Sequence, residues 1–308
     1  MITHPHVKVN LGLSVLRKRA DGYHDLETLF VPFHGISDTL EIIAGDDWSE
    51  TSASLFARYS PDELAQGISE DGSLMITIAR RGGVDWDPLK DLTARAYCLM
   101  AADFKLPPVK IFLEKTSPVG AGLGGGSSDA AFALKMISEL AGLGLDDQVL
   151  ADYAARLGSD CAFFIYDRPM LGEGRGEVLS PFDLDLSDYV LRVVVPEHIS
   201  VSTAEAYRGI VPREALAAGV QSPEGSIPRK GSTLLPEGEL PPAANLSLRE
   251  ALALPVERWR GALMNDFEAT VFAAHPELAA IKQSLYDSGA VYASMSGSGS
   301  ALFALFPM

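Results

Sequence analysis

The stretch Pro118-Val-Gly-Ala-Gly-Leu-Gly-Gly-Gly-Ser-Ser-Asp-Ala-Ala131 decides the fold of this chain. Its five glycines and two serines come directly before residues 129–141, whose apolar positions recur at helical spacing. Glycine lets the backbone bend so that several N–H groups point at one place. Unpaired amides and the dipole at a helix N-terminus both favour negative charge. The stretch therefore predicts an anion site for a nucleotide phosphate, with Ser127 or Ser128 as the N-cap of the helix.

Two other interpretations of this loop stay open. Gly120-x-Gly122-x-x-Gly125 matches the dinucleotide fingerprint, which would make the chain an oxidoreductase that uses nicotinamide or flavin. That motif requires an acid at the end of a second strand about twenty residues on. The acids at that distance, Asp146 and Asp147, look like the cap of another helix instead. The second alternative is a glycine-rich turn without a ligand, whereas a Walker P-loop is nearly excluded because no Lys-Ser or Lys-Thr follows the glycines.

The composition of the 308 residues bounds the class of protein. With 47% hydrophobic and 21% charged residues, the chain is globular and long enough for one large domain or two smaller ones. The net charge of −16 argues against nucleic-acid and anionic-membrane partners, which need a basic surface. No apolar run approaches the roughly 20 residues of a membrane span and no secretory signal is visible, so we expect a cytoplasmic protein. Cys98 and Cys161 are expected to be buried free thiols.

The order of periodic segments predicts an α+β fold, because strands and helices mix without regular βαβ alternation. We expect strands over 7–16, 25–33, 38–43, 73–79 and 109–114, and helices over 88–103, 146–157, 259–274 and 277–288. Residues 45–72 are polar and show little periodicity, with a short helix expected near 61–65, and 161–166 form a short buried run. We predict one domain over 1–185 and another over 186–308. Within the second, the segment 213–244 is rich in Pro, Gly and Ser and is expected to be a flexible insertion.

Three polar residues outside the loop have the arrangement of a catalytic group. Lys8 and Asn10 are two residues apart on a strand, so their side chains point to the same face. Asp160 precedes an apolar run, and a buried acid is costly unless it is paired. A Lys8–Asp160 pair would account for both residues. The alternatives are a solvent-facing strand for Lys8 and Asn10, and a helix-capping role for Asp160.

Six motifs, taken together, resemble those of the GHMP kinases, which include galactokinase, homoserine kinase and mevalonate kinase. In chain order they are Lys8-Val-Asn10-Leu11, Asp21-Gly-Tyr23-His24, the 122–128 loop, residues 157–164, Asn265-Asp266-Phe267-Glu268 and residues 296–300. The resemblance implies a two-lobed α+β fold, with an N-terminal ATP-binding lobe like domain 2 of ribosomal protein S5 and a ferredoxin-like C-terminal substrate lobe. The triple glycine and the Asp-Gly-Tyr-His turn are similar to those of members that phosphorylate the 2-hydroxyl of a cytidyl diphosphate sugar alcohol for isoprenoid synthesis. Members that act on mevalonate, homoserine or a sugar stay an alternative.

The resemblance also implies roles for individual residues. Asp160 would be the general base for the substrate hydroxyl, and Lys8 would orient it and stabilise the alkoxide. ATP, the co-substrate, would contact Lys115, Pro118, Gly120, Gly122, Leu123, Gly124, Gly125, Gly126, Ser127 and Ser128. The cytidyl substrate would contact Asn10, Tyr23, His24, Thr203, Tyr207 and Gly297. Either Ser127 or Ser128 would reach a Mg²⁺ ion held by the phosphates.

Some residues would be interpreted differently without the resemblance, and others depart from it. Lys115 alone would be a solvated side chain, and Tyr23 and His24 would be surface residues of a turn. Asp91 stands where the family often has Asn, and an acid there would weaken or redirect an adenine contact. Cys161-Ala162 replaces a common Val-Pro. The expected partners are small molecules, and the expected assembly is a monomer or a homodimer.

Overall fold

The computed structural model describes residues 1–217 and 246–308. Its strands are β1 (Ile2–Thr3), β2 (His6–Lys18), β3 (His24–Ser37), β4 (Thr39–Ala44), β5 (Leu64–Ile68), β6 (Leu74–Arg80), β7 (Val109–Lys115), β8 (Met170–Glu173), β9 (Val178–Pro181), β10 (Tyr189–Val194), β11 (Tyr292–Met295) and β12 (Leu302–Pro307). Its helices are α1 (Ser52–Arg58), α2 (Leu92–Ala101), α3 (Gly125–Leu140), α4 (Asp147–Leu157), α5 (Cys161–Tyr166), α6 (Thr203–Tyr207), α7 (Arg213–Ala217), α8 (Leu248–Leu252), α9 (Glu268–Ala274) and α10 (Pro276–Asp287). This mixture confirms the α+β class.

The described residues form two compact units that are interleaved along the chain. The first unit comprises Met1–Lys8, Pro32–Val119 and Gly124–Arg168. The second comprises Val9–Val31, Gly120–Leu123 and the described part of Pro169–Met308. Both β2 and β3 therefore run through both units, and so does the glycine loop. The predicted division into an ATP-binding domain over 1–185 and a substrate domain over 186–308 stays a prediction.

The first unit is built on a five-stranded sheet in the order β1-β4-β7-β6-β5. Its pairs are antiparallel except for β6 and β7, which run parallel with Leu74 opposite Val109. Alternate residues of these strands point to one face, and Ile76, Ile78 and Ile111 are fully buried there. Helices α2, α3, α4 and α5 pack on one another. Strand β7 leads into the glycine loop, and α3 continues from it, so this unit fixes where both ends of the loop lie.

The second unit holds a three-stranded antiparallel sheet in the order β10-β12-β11. An apolar cluster of this unit joins residues from β2, from α6, α9 and α10 with the positions beside them, and from this sheet: Leu13, Val15, Val201, Ala206, Phe267, Val271, Leu278, Met295 and Leu302. A further sheet has the order β2-β3-β8-β9, in which β3 and β8 are antiparallel with Thr28 opposite Gly172, and β8 and β9 are antiparallel too. The turn between β11 and β12 carries residues 296–300, the last of the six sequence motifs.

The structure corrects several predicted elements. The helix expected over 259–274 begins only at Glu268, because the preceding stretch is an ordered loop whose Trp259 indole is 2% exposed and donates to the Leu254 carbonyl. The helix expected over 88–103 begins at Leu92, after a separate 3-10 turn at Pro88–Lys90. Residues 45–72 contain α1 and β5, which their weak periodicity did not predict, and the short helix expected near 61–65 is a 3-10 turn at Pro61–Glu63. The short run at 161–166 is helix α5.

Two further predictions concern the insertion and the membrane. Of the predicted insertion at 213–244, the structure describes only the first residues, which form α7; the remainder lies outside the described residues. Within the described ranges, no helix combines the length and the apolar character needed to cross a bilayer.

Candidate active site

A buried lysine meets an aspartate in the first unit. Lys8, on β2, is 3% exposed, so the solvent-facing alternative is wrong for this residue. Its Nζ lies 3.4 Å from Oδ2 of Asp160, whose side chain is 32% exposed. Asp160 occupies the N-cap position of α5, but its side chain makes no capping hydrogen bond. The carboxylate therefore pairs with Lys8 and reaches solvent, and its predicted role as general base stays a prediction.

Burial strengthens the electrostatic interaction between the Lys8 ammonium group and nearby charges. Burial lowers the pKa of Lys8 below its ordinary value, while the charge of Asp160 acts in the opposite direction. A charge that is removed from water interacts more strongly with neighbouring charges. A Cβ on Gly124 would lie 3.1 Å from Cε of Lys8 and 3.2 Å from Cζ of Phe164, so one of these side chains would have to shift to accommodate it. The start of α3 therefore lies directly against the Lys8 side chain.

Helix α3 begins earlier than predicted. Its N-cap is Gly124, whose φ of 73° lies in the left-handed region that favours glycine. Ser127 and Ser128 consequently lie inside the first turn, and the prediction that one of them is the N-cap is wrong. Ser128 N is the first helical donor, to Gly124 O at 2.9 Å. The amides before it have no partner within the helix, which gives α3 the geometry of an anion-binding terminus.

The two serines differ in their surroundings. Ser127 is half-buried, whereas Ser128 is completely buried. Within residues 1–217 and 246–308, the Oγ of Ser128 has no hydrogen-bond partner. A buried hydroxyl without a partner costs about 1–3 kcal/mol. An oxygen-seeking cation or a phosphate bound beside α3 would remove that cost.

Lys115 is buried, so its interpretation as a solvated side chain is wrong. It is 6% exposed, and its Nζ lies 2.5 Å from Oδ2 of Asp38 and 2.5 Å from Oδ2 of Asp129. Although burial opposes it, the two carboxylates hold the pKa of Lys115 above its ordinary value. Neither aspartate was among the predicted site residues, and Asp38 lies 77 residues from Lys115 along the chain. The predicted contact of Lys115 with the nucleotide stays a prediction.

In the second unit, the first glycines of the loop lie against the turn at 296–300. The Ser296 hydroxyl donates to Gly122 O at 3.0 Å, and Ala301 N donates to Ala121 O at 3.1 Å. A Cβ on Gly122 would lie only 2.2 Å from Ser296 O. A Cβ on Gly297, whose φ is 54°, would lie 3.1 Å from Gly122 O. Glycine is therefore required at both positions for these two backbones to approach each other.

Two buried asparagines hold this turn. Asn10 is 2% exposed, its side chain donates to Thr28 Oγ1 at 3.0 Å, and its backbone N–H donates to Ser296 Oγ at 3.3 Å. The solvent-facing alternative is therefore wrong for Asn10 too. Asn265 donates to the carbonyls of Met295 and Gly297, both at 2.8 Å. The sequence motif contained Asn265 but gave no sign of this role.

The structure brings together two of the predicted substrate residues of the second unit. The rings of His24 and Tyr207 stack with centroids 4.7 Å apart and an angle of 18° between planes. Burial, and then the charge of Lys18, lower the pKa of His24. The lowered pKa favours the neutral imidazole, which has one nitrogen as donor and the other as acceptor.

The other predicted substrate residues lie apart from this stack or are more exposed. Tyr23 is 57% exposed, and its ring lies under Arg175, with Cζ 5.1 Å from the ring centroid. Thr203 begins α6, and its Oγ1 lies 3.4 Å from Oγ of Ser298 in the 296–300 turn. The exposed Tyr23 thus agrees with its interpretation as a turn residue at a surface, while the stacked His24 does not.

The departures from the family pattern have structural roles. Asp91 caps α2, because its Oδ1 accepts from Thr93 N at 2.9 Å and its Oδ2 accepts from Trp86 Nε1 at 3.1 Å. Cys161 is buried, and burial raises the pKa of its thiol to about 12, which makes it unreactive. Cys98 is exposed, contrary to prediction.

Asp146 caps α4, because its side chain accepts a hydrogen bond from Val149 N at 2.9 Å, as expected. It is therefore not the acid at a strand end that a dinucleotide site requires.

Comparisons with known proteins agree with this geometry. The profile of the GHMP kinases N terminal domain matches residues 91–168, and that of the GHMP kinases C terminal matches residues 248–307. Proteins from Bacteroides fragilis and Bacteroides thetaiotaomicron, each named 4-diphosphocytidyl-2-C-methyl-D-erythritol kinase, are 40% and 41% identical over 99% of this chain and 92% of their own length. A crystal structure of 4-(cytidine 5'-diphospho)-2C-methyl-D-erythritol kinase aligns over 99% of this chain and 90% of that one, with 31% identity and a TM-score of 0.65. A homoserine kinase from Cytophaga hutchinsonii shares the fold, with 16% identity over 98% of this chain and 85% of its own and a TM-score of 0.59.

The fold and the glycine loop at the start of α3 thus define a small-molecule kinase of the GHMP type. At 40% identity over nearly its whole length, the chain belongs to the 4-diphosphocytidyl-2-C-methyl-D-erythritol kinase family within the GHMP kinases.

Proposed function

We propose that this chain transfers the γ-phosphate of ATP to the 2-hydroxyl of 4-diphosphocytidyl-2-C-methyl-D-erythritol, in the non-mevalonate route to isoprenoid precursors. Relatives of that name match 99% of the chain. The structural observation that carries the proposal is the buried Lys8, paired with the partly exposed Asp160 at 3.4 Å and lying against Gly124 at the start of α3. Such a pair beside a phosphate site can accept the proton of an alcohol and stabilise the negative charge on the attacking oxygen.

Holding the phosphates is the first task of phosphoryl transfer. We assign it to the glycine loop and the first turn of α3, where the amides without helical partners and the helix dipole favour anions. Pro118, Gly120, Gly122, Leu123, Gly124, Gly125, Gly126, Ser127 and Ser128 would form this cradle. The net charge of −16 does not oppose it, because the cradle binds through backbone amides.

Activation of the acceptor hydroxyl is the second task. We assign the general base to Asp160, whose carboxylate is not used for capping and is accessible to a substrate. As the hydroxyl proton moves to Asp160, negative charge develops on the attacking oxygen. Lys8 would stabilise that charge at close range, in surroundings with little water to screen it.

The residues beside α3 fit a Mg²⁺ ion, which prefers oxygen ligands. The buried Oγ of Ser128 has no partner within the described ranges, and Ser127 is its half-buried neighbour, so either hydroxyl would serve. When bound, the ion would neutralise part of the negative charge of the ATP phosphates.

Recognition of the cytidyl substrate is assigned to residues of the second unit: Asn10, Tyr23, His24, Thr203, Tyr207 and Gly297. The neutral His24 offers one donor and one acceptor, which suits the hydrogen-bonding edge of an uncharged cytosine. Tyr207 holds the plane of that imidazole by stacking. We place the reaction in the cytoplasm, catalysed by a monomer or a homodimer.

The test is ADP release by the purified chain with ATP and Mg²⁺. The cytidyl substrate, mevalonate, homoserine and galactose would be compared at equal concentrations. We expect turnover with the cytidyl substrate alone. Turnover with another alcohol instead would retain the kinase fold and contradict the proposed substrate.

A further inference from the structure

Four side chains form a buried polar cluster at the base of the glycine loop, here called the loop anchor: Asp38, Lys115, Ser117 and Asp129. All four are less than 8% exposed and belong to the first unit. Such a group is costly to bury unless its polar atoms satisfy one another. Some members of the loop anchor precede the glycine loop in sequence and one follows it. This position indicates that the cluster holds both ends of the loop.

The anchor fixes the chain that enters the loop. Oδ1 of Asp38 accepts the backbone N–H groups of Thr116 and Ser117, both at 2.7 Å. Oδ2 of Asp38 accepts the Ser117 hydroxyl at 2.6 Å and the Lys115 amine at 2.5 Å. These four bonds leave little freedom to the residues immediately before Pro118.

The anchor also fixes the chain that leaves the loop. The Lys115 amine donates to Oδ2 of Asp129, which lies in the second turn of α3. A Cβ on Gly125, the first residue of α3, would lie 2.3 Å from the Ser117 hydroxyl and 3.5 Å from Nζ of Lys115. The helix start is thus in direct contact with the anchor.

The number of hydrogen bonds that the Lys115 ammonium already makes indicates whether it can also bind a nucleotide base. An ammonium group has three N–H donors. Three acceptors lie within reach of Nζ: Asp38 at 2.5 Å, Asp129 at 2.5 Å and Ser117 at 3.2 Å. No donor of Lys115 is left for a nucleotide base, and the side chain is 6% exposed.

We infer that Lys115 is a positioning residue, which acts on the nucleotide by tying the two ends of the phosphate loop to one cation instead of by touching the base. The inference rests on the proposed function in taking the loop as the phosphate site. A loop held at both ends is already in its binding conformation, so less conformational entropy is lost when a phosphate binds. Every phosphate ligand of the loop should benefit equally, with or without a base.

The experiment compares the binding of ATP with that of inorganic tripolyphosphate, which has the phosphates and no base. Lys115→Met is measured beside Lys110→Met, which removes a half-buried lysine from the same strand, whose Nζ donates to the Asp47 carbonyl at 3.4 Å. We expect Lys115→Met to raise both dissociation constants by a common factor of about 10 or more, and Lys110→Met to change neither. Loss of ATP affinity with unchanged tripolyphosphate affinity would overturn the inference and assign Lys115 to the base.

Because Lys115→Met leaves two carboxylates buried without a cation, milder variants accompany it. Ser117→Ala removes one hydroxyl from the anchor, and we expect it to weaken both ligands by the same several-fold factor. Asp129→Asn keeps the shape and an oxygen acceptor but removes one of the two charges that face Lys115, so it should weaken both ligands by one common factor, smaller than that of Lys115→Met. If Ser117→Ala leaves both affinities unchanged, the anchor does not set the loop. Wild-type turnover with the cytidyl substrate is measured separately, so failure of the proposed function is distinguished from failure of the anchor.

Discussion

Replacing single glycines of the phosphate loop by alanine separates two physical costs that the structure assigns to different positions. Gly122 carries both: its φ is +77°, and an added Cβ would lie 2.2 Å from the carbonyl oxygen of Ser296. Gly120 has a φ of +73° with nothing within 4 Å, so it carries the conformational cost alone. Gly126 carries neither, since its nearest neighbour, Cδ1 of Leu92, is 4.0 Å away.

The expected magnitudes follow from these environments. A side chain in the left-handed region costs roughly 1–2 kcal/mol, of which about 0.4–1 is offset by the lower entropy of the unfolded chain. Forcing a methyl group into a filled space costs about 1–3 kcal/mol more. Gly120→Ala should therefore lower the free energy of unfolding by about 1 kcal/mol, and Gly122→Ala by roughly 2–4 kcal/mol. Gly126→Ala should be neutral or slightly stabilising, because alanine favours helix.

Urea unfolding of the three variants, followed by circular dichroism, measures these differences directly. The wild type and Gly126→Ala serve as the references. Equal destabilisation by Gly120→Ala and Gly122→Ala would refute the close approach of the loop to the 296–300 turn. A strongly destabilised Gly126→Ala would refute the helical conformation at the start of α3.

Three further predictions concern the chemistry. Asp160→Asn should retain ATP affinity and lose roughly 10²–10⁴-fold in kcat, since that is the usual contribution of a general base; near-wild-type turnover would remove Asp160 from the mechanism. Because burial lowers the pKa of Lys8, kcat should fall on the alkaline side at a pH below 10.5, as the stabilising charge is lost; a pH–rate profile that is flat up to 10.5 would contradict this. Tyr23→Ala should raise KM for the cytidyl substrate more than KM for ATP, and equal effects on both, measured with each substrate saturating in turn, would exclude a role in base recognition.

The sequence predicts features that depend on neighbouring residues better than features that depend on contacts between residues far apart in the chain. The alternation of β2 predicted that Lys8 and Asn10 share one face, and the glycines with the following apolar pattern predicted an anion site, because both signals are local. The predicted N-cap of α3, Ser127 or Ser128, was wrong, because the helix begins after Gly124, whose φ lies in the left-handed region. Serine is statistically preferred over glycine as an N-cap, but here the backbone conformation of Gly124 determines where the helix begins.

The loop anchor could not be predicted because its partners are distant. Lys115 looks like an ordinary charged residue at the end of a strand, and only the pairing of β4 with β7 brings Asp38 beside it. The same applies to Asn265, which is 30 residues from the Met295 carbonyl that it binds. The loop at 259–267 looked helical because its apolar spacing serves packing: Trp259 and Leu263 are buried without helical backbone.

The position of the transferred phosphate tests the central claim most directly. Phosphorus NMR of the product from ATP and 4-diphosphocytidyl-2-C-methyl-D-erythritol would show which oxygen carries the new group. We predict one new phosphomonoester on the 2-oxygen, with the cytidyl diphosphate intact and one ADP formed for each product. A phosphate on another hydroxyl, or ADP formed without a phosphorylated product, would contradict the assignment of Lys8 and Asp160 to activation of the 2-hydroxyl.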